Sequence, residues 1–328
     1  MLDSFFHGAD IYSFAKKLNI KPKDVIDFSS NINFVKPKVK LKNINVSPYP
    51  DPRYVKLKKA ISKKYNIDEN YIQLFNGSTD AIFTIINHFE DVTLYAPIFA
   101  EYKRANKIKL INRFSNIYEI TPKDSLVVFV NPSTPDGTYY DLKKFFDIWC
   151  KQNNTVLIDE SFLDFSGKKS ALYFLKDFEK LIILKSFSKF YACAGVRVGV
   201  LISKIKFKTP IWNISVFDEQ YILHALKDKK FEIKSKIYIE KNKQMLREIL
   251  ENSGLFEKIY DSNTNFLLAK LKHISSIALQ DKLSAYNILI RDCFNFDFLD
   301  EFHVRFAVKT KKELKILKKA LKWTTYWF

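Results

Sequence analysis

Short apolar runs, each the length of one β-strand, recur through the middle of the chain. They are rich in Val, Ile, Leu and Phe, and they lack the strict apolar–polar alternation of a strand with one face in water. Such runs are typical of sheets that helices cover on both faces. The predicted strands are Val92–Tyr95, Leu126–Val130, Thr155–Ile158, Leu181–Leu184 and Val198–Ile202.

Helical patterns lie between several of these runs. Asp141–Lys151 and Ser170–Phe178 carry apolar residues at helical spacing, and a further helix is predicted over Asp80–His88. This alternation predicts an α/β fold with a mostly parallel central sheet and helices on both faces. Ligands of such sheets bind beyond the carboxyl ends of the strands, so the residues after each run are the first candidates for chemistry.

The rest of the chain predicts a second, smaller α/β domain. A charged helical pattern covers 217–252, and strand-like segments follow at Thr264–Leu271, Ile288–Arg291 and Val304–Val308. The length suggests one large domain and one small one. The predicted regions are an N-terminal segment, 1–40, that packs with the small domain, a large domain, 41–216, a connecting helical region, 217–252, and a small C-terminal domain, 253–328.

Composition excludes several classes of protein. The net charge is +18, but the lysines are spread along the whole chain, which favours a solvated surface over nucleic-acid binding, the remote alternative. No apolar stretch reaches the ~20 residues of a membrane span, so we expect a cytoplasmic protein with no membrane partner. Three widely separated cysteines predict neither a disulfide scaffold nor a metal site.

Glycine and arginine are both scarce, with seven of each in the chain. Glycine is retained where the backbone is left-handed or approaches another group closely. Lysine is the default cation here, so a retained arginine is a candidate for bidentate binding of an anion. Arg197, between Gly195 and Gly199, is the first such candidate, and Arg291 and Arg305 in the small domain are two others.

Two ionisable residues follow buried strands and indicate a particular chemistry. Lys189 ends the sequence Ser-Phe-Ser-Lys after one strand, and Asp159 follows another. A desolvated lysine amine is suited to forming a Schiff base. A carboxylate at the end of a buried strand needs a partner, and a cationic pyridinium nitrogen would be one.

Further residues complete this pattern. Gly77-Ser78-Thr79 opens a predicted helix, whose free backbone N–H groups and dipole favour a phosphate. Asn131 follows a third strand, and Phe99 is the expected stacking ring, with Tyr102 as its competitor. Together these residues predict a site for pyridoxal phosphate.

With these motifs the chain resembles the fold-type I pyridoxal-phosphate enzymes of the histidinol-phosphate aminotransferase group, and most of all the threonine-phosphate decarboxylases of cobalamin biosynthesis. The resemblance implies that Lys189 forms the Schiff base with the cofactor, that Asp159 pairs with its pyridine nitrogen, and that Asn131 holds its O3′ oxygen. The implied phosphate contacts are Gly77, Ser78, Thr79, Ser186, Ser188 and Arg197.

The same resemblance implies a homodimer. The sequence Tyr49-Pro50-Asp51 matches a family motif whose tyrosine reaches the cofactor phosphate of the neighbouring subunit. Tyr49 is therefore expected to act across the subunit interface.

Several positions favour a decarboxylase. The aminotransferases carry a tyrosine that bonds to O3′ where this chain has Phe162, and the surroundings of His7, Arg291 and Arg305 match the decarboxylases. The expected substrate is L-threonine O-3-phosphate or L-serine O-phosphate, held by His7, Asn33, Arg291 and Arg305. Ala9 and Phe34 depart from the family pattern, and histidinol-phosphate aminotransferase stays the alternative.

Overall fold

The structure is a computed structural model, and it describes residues 7–115, 117–118 and 122–325. The α-helices are α1 Ile11–Leu18, α2 Val55–Tyr65, α3 Gly77–Ile86, α4 Lys143–Trp149, α5 Leu163–Ser166, α6 Phe187–Phe190, α7 Val216–Lys227, α8 Lys229–Glu251, α9 Ser276–Ser284 and α10 Lys311–Thr325. Short 3₁₀ helices cover Pro22–Asp24, Glu69–Tyr71, Ala100–Arg104, Cys150–Gln152 and Ala171–Leu175.

Strands of the described chain form a large central sheet and two smaller sheets. The strands are β1 Ile26–Asp27, β2 Ile72–Asn76, β3 Asp91–Ala96, β4 Lys107–Asn112, β5 Leu126–Val130, β6 Thr155–Asp159, β7 Leu181–Ser186, β8 Val198–Ser203, β9 Phe256–Ile259, β10 Phe266–Leu271, β11 Ile288–Leu289, β12 Arg291–Asp292 and β13 His303–Ala307.

The central sheet has seven strands in the order β2-β8-β7-β6-β5-β3-β4. Only β8 runs antiparallel to its neighbours, β2 and β7, and the other pairs are parallel. All five strands predicted in this region are present, and the α/β class with a mostly parallel sheet is confirmed. The two outermost strands, β2 and β4, were not predicted.

Both faces of the sheet are buried, which explains why its strands lack alternation. Along β5, Val127 and Phe129 pack into one hydrophobic cluster, whereas Val128 packs into another on the opposite face. Successive side chains of a strand point to opposite faces, so a strand covered on both sides needs apolar residues at every position.

The region predicted as helical, 217–252, forms the two helices α7 and α8. Asp228 separates the two helices, because it is the C-terminal cap of α7 and the N-terminal cap of α8. As the N-terminal cap, its side chain accepts a hydrogen bond from the Phe231 backbone N–H. Phe231, Ile239 and Leu246 are buried along one side of α8. Among the described residues, no helix has the length and apolar character that crossing a membrane requires.

The second half of the chain contains an antiparallel sheet in the order β12-β13-β10-β9. Near the N-terminus, β1 pairs in parallel with β11, so the segment around Ile26 joins this part of the molecule. Phe28 lies in the same hydrophobic cluster as Leu267 and Phe306. Through these contacts the segment around Ile26 and Phe28 packs against the strands of the second half of the chain.

Two predicted elements differ from the structure. The single strand predicted over Ile288–Arg291 is divided into two short strands, because Ile288–Leu289 pairs with β1 whereas Arg291–Asp292 pairs with β13. The helix predicted over Ser170–Phe178 is reduced to the 3₁₀ helix Ala171–Leu175. There the buried Glu160 carboxylate accepts hydrogen bonds from the Ala171 N–H and the Ser170 hydroxyl, which fixes the segment close to the sheet.

Candidate active site

A pocket of ≈ 240 Å³ lies where β5, β6 and β7 end. This is the edge at which parallel α/β sheets bind ligands. The N-terminal segment, Phe99 after β3, and the strands β12 and β13 line its other sides. The predicted site residues that line it are His7, Ser78, Phe99, Asp159, Phe162, Lys189, Arg291 and Arg305.

Lys189 lies on α6, the short helix that follows β7. Its Nζ atom lies 4.8 Å from the centre of the Phe162 ring. Burial lowers the pKa of Lys189, and the charges of Arg305 and Arg197 act in the same direction, whereas Asp159 opposes them. A lower pKa increases the neutral fraction of the amine, which is the nucleophilic form.

Asp159 ends β6 and faces the same pocket. Its Oδ1 accepts a hydrogen bond of 2.8 Å from the Ser161 backbone N–H, and its Oδ2 accepts one of 2.9 Å from the Tyr102 hydroxyl. A carboxylate has about four acceptor positions, so these two bonds leave capacity for a cationic ligand group. Asp159 is only 5% exposed, and such a ligand would relieve the cost of burying its charge.

Close backbone approach shapes the end of the pocket at α3. Gly77 has φ +82°, and a Cβ there would lie 2.4 Å from Arg197 Nη2. A Cβ on Gly199 would lie 2.5 Å from the Gly77 backbone. The Ser78 hydroxyl donates to Ser186 Oγ at 3.4 Å. Because Gly199 on β8 has no side chain, the Arg197 guanidinium and the hydroxyls of Ser78 and Ser186 lie close to the first N–H groups of α3. This combination of donors and positive charge is suited to binding a phosphate.

Replacing Gly77 tests this phosphate site. In Gly77→Ala, the new methyl group should displace the Arg197 guanidinium and weaken binding of pyridoxal phosphate by about tenfold or more, a loss of one strong charge-assisted contact. Gly167→Ala is the matched control because Gly167 also has positive φ, +65°, but has no neighbour within 4 Å of a Cβ. Both variants should lose ~1 kcal/mol of stability, because alanine is strained in the left-handed backbone conformation of both glycines. If the two variants bind pyridoxal phosphate with equal affinity, Arg197 is not part of the phosphate site.

Arg291 and Arg305 face each other across β12 and β13 as register partners. Both are buried, and burial together with the neighbouring Arg291 lowers the pKa of Arg305 to about 10. Arg305 donates to Thr134 Oγ1 at 3.0 Å and to the Ser29 carbonyl at 3.3 Å, and within the described chain its Nε has no hydrogen-bond partner. Two adjacent buried cations repel each other, so the pair is suited to an anionic ligand.

The N-terminal loop contributes Asn31 where the sequence suggested Asn33. With its amide oxygen turned toward Arg305, Asn31 accepts from Nη1 and Nη2 at 3.1 Å each, and it lines the pocket. Asn33 does not line the pocket: it donates to the Phe190 carbonyl and to Ser235 Oγ, and its oxygen accepts from the Val35 N–H. Asn33 therefore fixes the loop, and the asparagine of this loop that lines the pocket is Asn31.

His7 and Phe99 lie together at the other side of the pocket. The two rings are 5.1 Å apart, and His7 Nε2 is 2.6 Å from Glu101 Oε1. Glu101 also accepts from Arg104 Nε at 2.8 Å. This contact ties the N-terminal segment to the 3₁₀ helix that follows β3, so His7 is held at the pocket rather than free in solvent.

Other predicted residues lie near the pocket or apart from it. Asn131 is buried next to Asp159, and its amide bonds to the backbone of Tyr140 through both its oxygen and its nitrogen. Five of the predicted phosphate contacts do not line the pocket: Gly77, Thr79, Ser186, Ser188 and Arg197. Ser78, which bonds to Ser186, and Lys189, which follows Ser188, do line it. Tyr49 is exposed and stacks on Trp212 at 4.2 Å, away from the pocket lining of its own chain.

Some residues in or behind the pocket were not among the expected site residues. Thr134 and Ser161 line the pocket and bond to Arg305 and Asp159 respectively, whereas Tyr102 does not line it but lies behind Asp159. Tyr102 was considered only as a competing stacking ring. The position of Thr134 within Asn-Pro-Ser-Thr-Pro, directly after a strand, was the one sequence signal that could have indicated it.

Comparison with known proteins places the chain among pyridoxal-phosphate enzymes. It is 30% identical over 346 residues to the adenosylcobalamin biosynthesis bifunctional protein CobDQ of Leptospira interrogans, which covers 94% of the chain but only 40% of that longer relative. It is 31% identical to the histidinol-phosphate aminotransferase of Christiangramia forsetii, over 84% of each chain. It is 26% identical to the threonine-phosphate decarboxylase of Salmonella typhimurium, over 96% of this chain and 95% of that one.

Solved structures show the same architecture. The histidinol-phosphate aminotransferase of Clostridium acetobutylicum matches with a TM-score of 0.83 and 30% identity, over 92% of this chain and 99% of that one. The model for "Aminotransferase class I and II" matches residues 23–321, a span that contains Gly77, Asp159, Lys189 and Arg305. On fold, site and sequence together, the chain belongs to the class I and II aminotransferase family.

Proposed function

We propose that this protein is a decarboxylase of an O-phosphorylated β-hydroxy amino acid, L-threonine O-3-phosphate or L-serine O-phosphate, releasing CO2 and an amino-alcohol phosphate. The observation that carries the proposal is the buried pair Arg291 and Arg305, which faces the same pocket as Lys189. Such a pair suits a substrate that brings an anionic group as well as an amine. The threonine-phosphate decarboxylase relative supports the same reaction.

Pyridoxal 5′-phosphate is the cofactor, and the pocket residues fit it. Lys189 would carry it covalently, Asp159 would pair with its ring nitrogen, and Phe99 would cover its ring. Its phosphate would lie at the start of α3 beside Ser78, Ser186 and Arg197. Because Gly77 and Gly199 have no Cβ, the Arg197 guanidinium can lie against the Gly77 backbone there. When bound, the cofactor supplies an electron sink for the bond broken at Cα.

The side chains of the pocket would then hold and orient the substrate. Arg291, Arg305 and His7 would grip the substrate phosphate, and Asn31 would fix the Arg305 guanidinium. Binding at the phosphate decides which of the bonds at Cα is presented for cleavage, and we propose that it is the bond to the carboxylate. After CO2 leaves, the Lys189 Nζ atom would return a proton to Cα.

Histidinol-phosphate aminotransferase is the second candidate, supported by the relatives with that name at 30% and 31% identity. Both reactions need a phosphate-binding pocket, but a transaminase also needs an acceptor for the amino group. The test is to supply each phosphorylated amine with and without 2-oxoglutarate. We expect L-threonine O-3-phosphate to be consumed at the same rate in both cases, and a strict requirement for 2-oxoglutarate would favour the aminotransferase.

A homodimer is part of the proposal. Two short segments carry exposed apolar residues, and the stack of Tyr49 on Trp212 brings the segments together. The exposed residues are Val46, Tyr49, Val55, Ile211 and Trp212. Such an apolar surface is suited to being covered by a partner subunit. We propose that Tyr49 reaches the cofactor phosphate of the partner subunit.

Mixing inactive variants tests this arrangement. If both substitutions abolish activity, random dimers of Lys189→Ala and Tyr49→Ala chains should recover about a quarter of the native sites, because a shared site takes Lys189 and Tyr49 from different chains. Tyr12→Ala, at another exposed tyrosine, is the control that should stay active by itself. If the two kinds of subunit are shown to exchange between dimers and activity still does not return, Tyr49 does not contribute to the partner's active site.

A further inference from the structure

Tyr102 contacts the one carboxylate that faces the cofactor ring nitrogen in the proposed function. Its hydroxyl donates to Asp159 Oδ2 at 2.9 Å, and its side chain is fully buried. It does not line the pocket, so it touches neither cofactor nor substrate. The remaining Asp159 oxygen, Oδ1, accepts from the Ser161 N–H at 2.8 Å.

The fold places Tyr102 behind Asp159 through a short element. The 3₁₀ helix Ala100–Arg104 begins directly after Phe99, and its Tyr102 N–H bonds to the Phe99 carbonyl. One turn of chain therefore puts the Phe99 ring on the pocket wall and the Tyr102 hydroxyl beneath the Asp159 carboxylate. The same segment therefore positions both the ring that would cover the face of the cofactor and the carboxylate that would bond to its edge.

The phenol can act here only as a donor. Burial and the nearby Asp159 raise the pKa of Tyr102 well above its usual value, so the proton stays on the hydroxyl at neutral pH. Its hydrogen bond restricts rotation of the carboxylate, because Tyr102 holds Oδ2 and the Ser161 N–H, on a separate segment, holds Oδ1.

We propose that Tyr102 is a positioning residue that holds the Asp159 carboxylate aimed at the cofactor ring nitrogen. This inference rests on the proposed function, because it needs pyridoxal phosphate in the pocket. Tyr102 thereby strengthens cofactor binding through Asp159, without a contact of its own. A tyrosine that only fills the core would contribute to stability and nothing more.

The experiment compares two ligands on apoprotein. One is pyridoxal phosphate, and the other is its analogue with C–H in place of the ring nitrogen, which cannot bond to Asp159. Tyr102→Phe removes a single oxygen and should raise the dissociation constant of pyridoxal phosphate by about tenfold, the effect of losing one hydrogen bond to a charged group. The dissociation constant of the analogue should change by less than about twofold, because its binding does not use Asp159.

Tyr95→Phe is the matched control. Tyr95 is also buried, on β3, but its hydroxyl accepts from Trp149 Nε1 at 3.1 Å and lies away from Asp159. It should leave both dissociation constants unchanged while losing a comparable amount of thermal stability. A second comparison uses Asp159→Asn: adding Tyr102→Phe to it should cause little further loss of pyridoxal-phosphate affinity.

The outcomes separate this inference from the proposed function. If wild-type protein binds no pyridoxal phosphate, the proposed function fails. If wild type binds it and Tyr102→Phe binds both ligands as wild type does, or loses affinity for both equally, the positioning role is overturned. Should Tyr102→Phe not fold, additive effects of Asp159→Asn and Tyr102→His on pyridoxal-phosphate affinity would overturn it, and non-additive effects would support it.

Discussion

Purified Lys189→Ala protein is expected to lack the visible absorbance of a lysine-bound cofactor and to lose turnover by about three orders of magnitude or more. Among the described residues that line the pocket, Lys189 is the only lysine, so the lining offers no second amine to carry the cofactor. Absorbance spectra of protein purified with excess pyridoxal phosphate measure the first effect, and steady-state assays measure the second.

A surface lysine supplies the control. Lys204→Ala removes an amine that pairs with the exposed Glu179 and should leave spectrum and turnover unchanged. A visible band that persists in Lys189→Ala and disappears in another lysine variant would move the cofactor attachment elsewhere.

Arg305→Lys is expected to lower kcat/KM for the phosphorylated substrate by about a hundredfold, with a change of less than about threefold in the dissociation constant of pyridoxal phosphate. The guanidinium bonds to Thr134, Ser29 and Asn31 while it still faces the pocket, and a single ammonium cannot reproduce that planar arrangement. Its pKa of about 10 keeps Arg305 charged at neutral pH, so substrate affinity should fall only as the pH rises toward that value.

The half-buried Arg247, outside the pocket lining, provides the matched comparison, since it bonds to Asp261 and the Tyr260 carbonyl. Arg247→Lys should leave both constants as in wild type. Parallel losses of substrate and cofactor affinity in Arg305→Lys would remove Arg305 from substrate binding and make it a structural residue.

The central strands could be predicted because burial on both faces leaves a strong apolar signal. The positions of Asp159 and Lys189 followed from it, since residues after parallel strands gather at one edge of the sheet. The outer strand β4 was not predicted, because its first three residues, Lys107, Ile108 and Lys109, are exposed. Its sequence carries charge where an inner strand would be apolar.

Contacts between distant segments could not be predicted from the sequence. The Tyr102–Asp159 bond joins residues 57 positions apart, and the buried ion pair of Arg113 with Asp136 joins two loops beside the pocket. The sequence also could not distinguish Asn31 from Asn33, because which amide faces the pocket depends on how Ser235 and Phe190 hold the loop. Such choices are made by tertiary packing rather than by local pattern.

The most direct test is carbon release from L-threonine O-3-phosphate labelled at its carboxyl carbon. Purified protein with bound pyridoxal phosphate is incubated with this substrate without any 2-oxo acid, and labelled CO2 is measured against the amino-alcohol phosphate formed. We predict that the two products form in equal amounts over many turnovers. Label that stays in the substrate or in a 2-oxo acid, with amino transfer once 2-oxoglutarate is added, would contradict a decarboxylase.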